Sequence, residues 1–239
     1  MNRKSFVLAI AIVLVLLGSA ATGVGLLVRH VPTFYERAAV PPGDARTTAS
    51  GEFVSRFFHL IDGVANKRQW REQFTEKQIN SYFVEDFLKE HGDKRPLPDS
   101  IHEPRVVLEP DKIRLAFRYG TGPWSTIVSI EVRVWLVPKE PNVVAFEFQA
   151  VHAGALPISA QSMLERIADA AEEQDLDPRW FRLSGHPVLV LRFQADRSTP
   201  TFQLQGLELR QGSLLVSGRS LDSTPQISAA APPAEALPN

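Results

Sequence analysis

The chain has 239 residues, 44% hydrophobic and 22% charged, with a formal net charge of −1 and no cysteine. That length supports a hydrophobic core without covalent staples. The lack of cysteine excludes a disulfide framework, a thiolate zinc site and a cysteine nucleophile, and the weak charge makes a poor electrostatic match for nucleic acid.

Residues 6–28 form a run of 23 residues with no charged side chain. As a helix this run would measure about 34 Å, enough for a hydrocarbon core of about 30 Å. Arg3 and Lys4 precede it, so residues 1–5 are predicted to be cytoplasmic and the rest exported. The predicted location is the cell (inner) membrane, single-pass, with an extracytoplasmic or periplasmic domain. A cleaved signal peptide is the alternative, with Ser19-Ala20-Ala21 as a small-residue cleavage site. The apolar run continues for seven residues beyond Ala21, which favours a retained anchor.

Residues 29–50 contain Pro32, Pro41, Pro42 and Gly43 and read as a linker. A folded domain is expected over 51–220. Its first helix has Ser50 as a possible N-cap and Phe53, Phe57, Phe58, Ile61 and Val64 at helical spacing. Thr75-Glu76-Lys77-Gln78 fits a capping box that opens a second helix, with Ile79, Phe83, Phe87 and Leu88 on its apolar face and Gly92 past its end.

From residue 103 to 152 the period changes to two. Ile113, Leu115, Phe117 and Tyr119 alternate with Arg114, Ala116 and Arg118. After the turn Gly120-Thr121-Gly122-Pro123, a long strand over 124–136 presents Trp124, Thr126, Val128, Ile130, Val132, Val134 and Leu136 on one face and starts polar on the other. A further strand covers 143–152. Short turns between such strands imply an antiparallel meander with one buried and one wetter face.

Residues 159–173 return to helical spacing, and strands are expected at 187–194, 201–210 and 213–219, the last two as a hairpin about Gln211-Gly212. Residues 221–239 are rich in Ser, Ala and Pro and read as a disordered tail. The predicted fold class is α+β: an N-terminal transmembrane helix, then a curved antiparallel sheet of about six strands covered by two to three helices.

No motif carries catalytic, metal or cofactor chemistry. The six histidines include no pair at helical metal-ligand spacing. His102-Glu103 reads as part of a solvated, proline-bounded loop. Leu183-Ser184-Gly185-His186 lacks the flanking glycine of a nucleophile elbow, and Gly120-Thr121-Gly122 leads into a strand rather than a helix. Glu85-Asp86 and Glu172-Glu173 are expected on solvent faces. Lys67, Arg68, Arg71 and Lys77 form a basic cluster that reads as a solvated turn with Trp70 packed inward.

The segment Phe74-Thr75-Glu76-Lys77-Gln78-Ile79-Asn80-Ser81-Tyr82-Phe83, a capped helix start followed by Asn and an aromatic, resembles the opening of the domain in YpmS-like single-pass bacterial proteins of unknown function. The layout over 74–220 resembles, more remotely, exported proteins of the LmeA-like and tubular-lipid-binding kind. The resemblance implies that Asn80 is the family's helix asparagine. Read from its chemistry alone, that side chain would tether its helix to a neighbouring strand or loop.

These readings together predict a non-enzymatic, membrane-tethered extracytoplasmic domain that binds an apolar ligand or an envelope partner. The expected ligand is a lipid held between sheet and helices, with Phe57, Phe83, Val128 and Val132 as lining residues. A packed core produces the same pattern. A scaffold subunit of an envelope complex, or an envelope enzyme whose site converges from scattered residues, is the alternative.

Overall fold

The structure, a computed structural model, describes residues 19, 22–66, 68–88, 97–159, 161, 164–165, 178–193 and 200–221. Most of the apolar run, Lys67, Gly92, most of the helix expected over 159–173, and the tail beyond 221 lie outside the described residues. Among the described residues no helix is long and apolar enough to cross a membrane.

The fold is α+β with a large antiparallel sheet, as the period-two segments require. Residues 22–29 are helical and lead into α1 (Thr33–Arg37). Then come α2 (Asp44–Asn66), β1 (Trp70–Thr75) and α3 (Glu76–Tyr82), which a π-helical turn, Phe83–Phe87, continues. Next in order are β2 (Ile101–Glu109), β3 (Lys112–Tyr119), β4 (Thr126–Leu136), β5 (Val143–Ala153) and β6 (Leu156–Pro157). The chain finishes with β7 (Arg179–Leu183), β8 (His186–Arg192), β9 (Phe202–Arg210) and β10 (Ser213–Ser220).

The strands form two sheets rather than one. The large sheet runs β2-β3-β4-β5-β8-β7, with the short β6 paired to β5. The expected hairpin of β9 and β10 forms, but it pairs with β1 in a separate three-stranded sheet, β1-β10-β9. Sequence reading missed β1 because Trp-Arg-Glu-Gln-Phe-Thr has only Trp70 and Phe74 as its buried positions, too few to establish a period. Strand β4 starts at Thr126, because Gly122–Trp124 is a 3-10 turn with Pro123 near its start.

One face of the large sheet carries the main core. Phe117 pairs with Val128, Ile130 with Val151, Val132 with Phe148 and Val134 with Phe146, so side chains of one parity share this face. Val128, Ile130, Val132, Phe148, Val151, Leu164 and Leu189 are buried together, with Phe117 and Phe146 packed against them.

The other face is less wet than expected. Residues 29–50 are not a linker: Tyr35, in α1, is 1% exposed and forms a second core with Ala116 and Ile127, flanked by Val31 and Phe34. Helix α2 starts at Asp44, directly after Gly43, so the prolines precede helices instead of marking free chain. Ser50 is therefore no N-cap. It lies inside α2, buried, and donates its hydroxyl hydrogen to the Asp86 carboxylate.

Helix α2 packs on β1, β10 and α3, against the small sheet rather than over the main core. Phe53 anchors it, stacked on Tyr82 at 4.6 Å and tilted against Phe74 at 5.4 Å. Glu85 and Asp86 face α2, not solvent: Arg46 meets Glu85 at 2.5 Å, and Asp86 accepts from Ser50. Trp70 does pack inward, against the backbone of Gly63 and Gly218. A Cβ at Gly63 would lie 2.8 Å from the Trp70 Cβ.

Two asparagines join these parts. In α3, Asn80 holds the outer edge of β2. In the turn after β4, Asn142 adopts φ +58 and clasps β9, donating to the Phe202 carbonyl at 2.7 Å and accepting from the Leu204 N–H at 2.8 Å. Asparagine tolerates the left-handed region better than most residues, which suits it to this turn.

Candidate functional site

The residues nominated from sequence fall into separate places. Val128 and Val132 lie in the main core, 9% and 4% exposed. Phe57 lies on α2, stacked near Phe53 at 6.3 Å and half exposed. Phe83 opens the π-helical turn and meets Phe87 at 5.7 Å. Helix α2 covers the small sheet, and Phe57 and Phe83 lie on the helices there, in contact with Phe53 and Phe87, whereas the two valines belong to the large sheet. Among the described residues the two phenylalanines and the two valines lie in separate contact groups.

Asn80 is 3% exposed and structural in its geometry. The capping box at Thr75 and Gln78 is complete and fixes the start of α3. One turn on, the Asn80 amide donates to the Val106 carbonyl at 2.8 Å and accepts the Val106 N–H at 2.7 Å. Glu76 accepts the Leu108 N–H at 3.0 Å. The helix thus closes a strand edge that would otherwise offer free backbone groups.

The N-terminal segment meets the large sheet at one end. The Leu27 carbonyl accepts from Ala155 N–H at 2.8 Å, and the Val28 carbonyl accepts from the Thr126 hydroxyl at 2.5 Å. Gly154, at φ +62, lies so close to the Leu27 and Val28 carbonyls that no Cβ would fit. Register puts the start of β2, the end of β3 and the start of β4 at this same end, since Ile101 pairs with Tyr119 and Tyr119 with Thr126.

A cleft of about 570 Å3 opens there, lined by Leu88, Leu97, Pro98, Ile101, His102, Glu103, Arg118 and residues 120–122. His102 and Glu103 are therefore not in a loop but in β2, at a bulge between His102 and Arg105. Glu103 takes φ +47, an uncommon backbone conformation for a residue with a side chain.

Its neighbours hold it in that conformation. The Tyr35 hydroxyl lies 3.0 Å from the Glu103 carbonyl and 3.2 Å from its Oε2. Arg105 reaches the same Oε2 at 3.1 Å, lies over the Tyr35 ring at 4.0 Å and donates to the Tyr35 carbonyl at 2.8 Å. Burial pushes the Tyr35 hydroxyl up to about 12, against the charge of Arg105 and aided by the Glu103 carboxylate. On the cleft side Arg118 meets Glu103 at 3.8 Å, which is a loose contact. The Nε2 of His102 is buried with no hydrogen-bond partner among the described residues.

Other polar clusters are self-compensated. Glu147, 3% exposed, engages His186 Nδ1 at 3.1 Å and Arg133 at 3.4 Å, one through each carboxylate oxygen. Lys112 and Arg114 alternate with Glu109 and Glu131 at 3.2–3.5 Å across β2, β3 and β4. Among the described residues no group of three or more His, Asp or Glu side chains could hold a metal ion.

The cluster of Tyr35, Glu103, Arg105 and Arg118 was not found by sequence reading. Its parts lie about 70 residues apart in the case of Tyr35 and Arg105. The one available signal was an acid and two arginines on neighbouring period-two strands. Comparison with protein-family models, with curated proteins and with solved structures finds no match to this chain.

Proposed function

We propose that the chain is a membrane-tethered, extracytoplasmic, non-enzymatic domain that works at the surface of the membrane holding it, in the cell (inner) membrane with its N-terminus cytoplasmic. The observation that carries this reading is the fixed exit of the N-terminal segment. Leu27 and Val28 end the charge-free run, and their carbonyls accept from the Ala155 N–H in the turn after β5 and from the Thr126 hydroxyl at the start of β4 instead of leading into slack chain. A tether joined this way holds one end of the sheet beside the bilayer in a set orientation. The cleft lined by Ile101 and Arg118 shares that end. Glu103 and Glu147 are already engaged by Arg105 and Arg133, which supports a binding role over acid–base chemistry.

The test is topology. A periplasmic-type reporter joined after Ser220 should be active, and the protein should resist carbonate extraction. A reporter active only in the cytoplasm sinks the reading. A fragment beginning near Thr22 and free of the membrane would replace the tether with a cleaved signal.

A second reading, a scaffold subunit, draws on α2. Phe57, Phe58 and Ile61 share one helix face and are 46%, 63% and 49% exposed. If this face docks a protein partner, Phe58→Glu should leave the fold intact and move the solubilised protein to a smaller species on native gels.

A further inference from the structure

We propose that the cleft formed by the start of β2, the end of β3 with its following turn, and Leu88 binds one anionic amphiphile, with the head group on Arg118 and the chain along Leu88, Leu97 and Ile101. This deepens the tethered reading, since it names the ligand class at the end of the sheet where the tether docks.

The charges set the head-group end. Glu103 is drawn to the inner side of its bulge, where the Tyr35 hydroxyl and Arg105 take its Oε2 at 3.2 and 3.1 Å. Arg118 is left with the 3.8 Å contact to Oε1 as its ion pair among the described residues. Two guanidinium groups thus serve one carboxylate, and the surplus positive charge stands on the cleft wall. A guanidinium carries five N–H donors in a planar fork that matches a carboxylate or a phosphate. Glu103 Oε1 stands 3.8 Å from the Arg118 Nε, beyond hydrogen-bond distance, while Tyr35 and Arg105 hold its Oε2.

The shape and wall chemistry set the other end. The volume of about 570 Å3 is in the range of small-molecule sites. Leu88, Leu97, Pro98 and Ile101 line it with apolar surface, while His102 pairs in register with Arg118 and Glu103 lies 3.8 Å from it. A free inorganic anion would leave that apolar wall against water, and a neutral chain would leave Arg118 without its ligand. An anion bearing an apolar chain satisfies both. Location adds to this: Ile101, Tyr119 and Thr126 share the sheet end that receives Val28, so the cleft lies close to where such molecules concentrate.

The test uses the full chain in phosphatidylcholine nanodiscs, titrated with dodecyl phosphate, with decanol and with inorganic phosphate. The expected result is saturable one-to-one binding of dodecyl phosphate and no saturable binding of the other two. Arg118→Gln should weaken it about tenfold or more, since it removes a charge-assisted contact. Thr121→Trp, at an exposed position in the turn at the mouth, should also block it while leaving the melting temperature unchanged. Nanodiscs doped with phosphatidic acid should compete with dodecyl phosphate if membrane lipid is the source, and should not if the source is a free amphiphile. The proposal falls if wild type does not bind dodecyl phosphate, if inorganic phosphate or decanol binds as well, or if either variant binds as wild type does. Membrane tethering is read separately by carbonate extraction, so loss of the tether and loss of the ligand are distinguishable.

Discussion

Asn80 makes, with one side chain, both backbone bonds that a neighbouring strand would offer to Val106. A primary amide has the donor and acceptor spacing of a peptide group, so it can stand in for one residue of a strand. The stretch 74–83 supplies both the capping box and this clamp.

Asn80→Leu is expected to leave the buried Val106 N–H and C=O without partners and to lower unfolding stability by about 2–4 kcal/mol. Asn80→Asp should fall between, keeping the acceptor and losing the donor. Urea denaturation measures the loss, and hydrogen exchange at the Val106 amide should rise in the leucine variant but much less in the aspartate one. Equal exchange in all three would refute the clamp.

Gly154→Ala is expected to dislodge residues 27–28 from the sheet. The added Cβ meets two carbonyls, and φ +62 is strained for alanine. Stability should drop by about 1–3 kcal/mol, and trypsin should cut after Arg29 several-fold faster. Unchanged cleavage would mean that the segment is held elsewhere.

Gly63→Ala in α2 presses on the Trp70 Cβ, and Gly218→Ala in β10 presses on the Trp70 ring and on the Gln203 carbonyl. Each should cost about 1–3 kcal/mol as overpacking. Combined with Trp70→Ala, Gly218→Ala should be non-additive, because its ring contact vanishes and only the Gln203 carbonyl remains. Gly63→Ala should stay nearly additive, because alanine keeps the Cβ it meets. Additive losses for Gly218→Ala in the double-mutant cycle would show that this glycine serves the Gln203 carbonyl rather than the ring.

Between pH 10 and 12 the fold should lose stability through Tyr35. Its hydroxyl is pushed up to about 12 in the folded state from 10.0. The unfolded chain therefore releases this proton first. The stabilisation is complete below pH 10 and is lost as pH rises towards 12, on the order of 2 kcal/mol. Tyr35→Phe should flatten that part of the stability–pH curve. A curve of unchanged slope in the phenylalanine variant would assign the alkaline loss to other groups.

The local chemistry of the chain determined the class of the fold and the character of its parts. A period of two from Ile113 to Val134 says that one face is buried, and the Thr75–Gln78 pair says where α3 begins. The charge-free run is likewise a property of adjacent residues. Tertiary structure alone decided which element covers which face. Both Phe57 and Val128 read as buried from periodicity, but Val128 lies in the main core and Phe57 stays half exposed on α2. Tyr35 lay in a proline-bounded stretch with no period, and only its burial against Ala116 and Ile127 shows that the stretch is core. The cleft is further still from sequence. Its charges are ordinary surface residues one by one, and the surplus at Arg118 exists only because a bulge at Glu103 and a tyrosine 68 residues upstream draw the carboxylate away. Those contacts depend on long-range register, which backbone hydrogen bonds set without leaving a mark in composition.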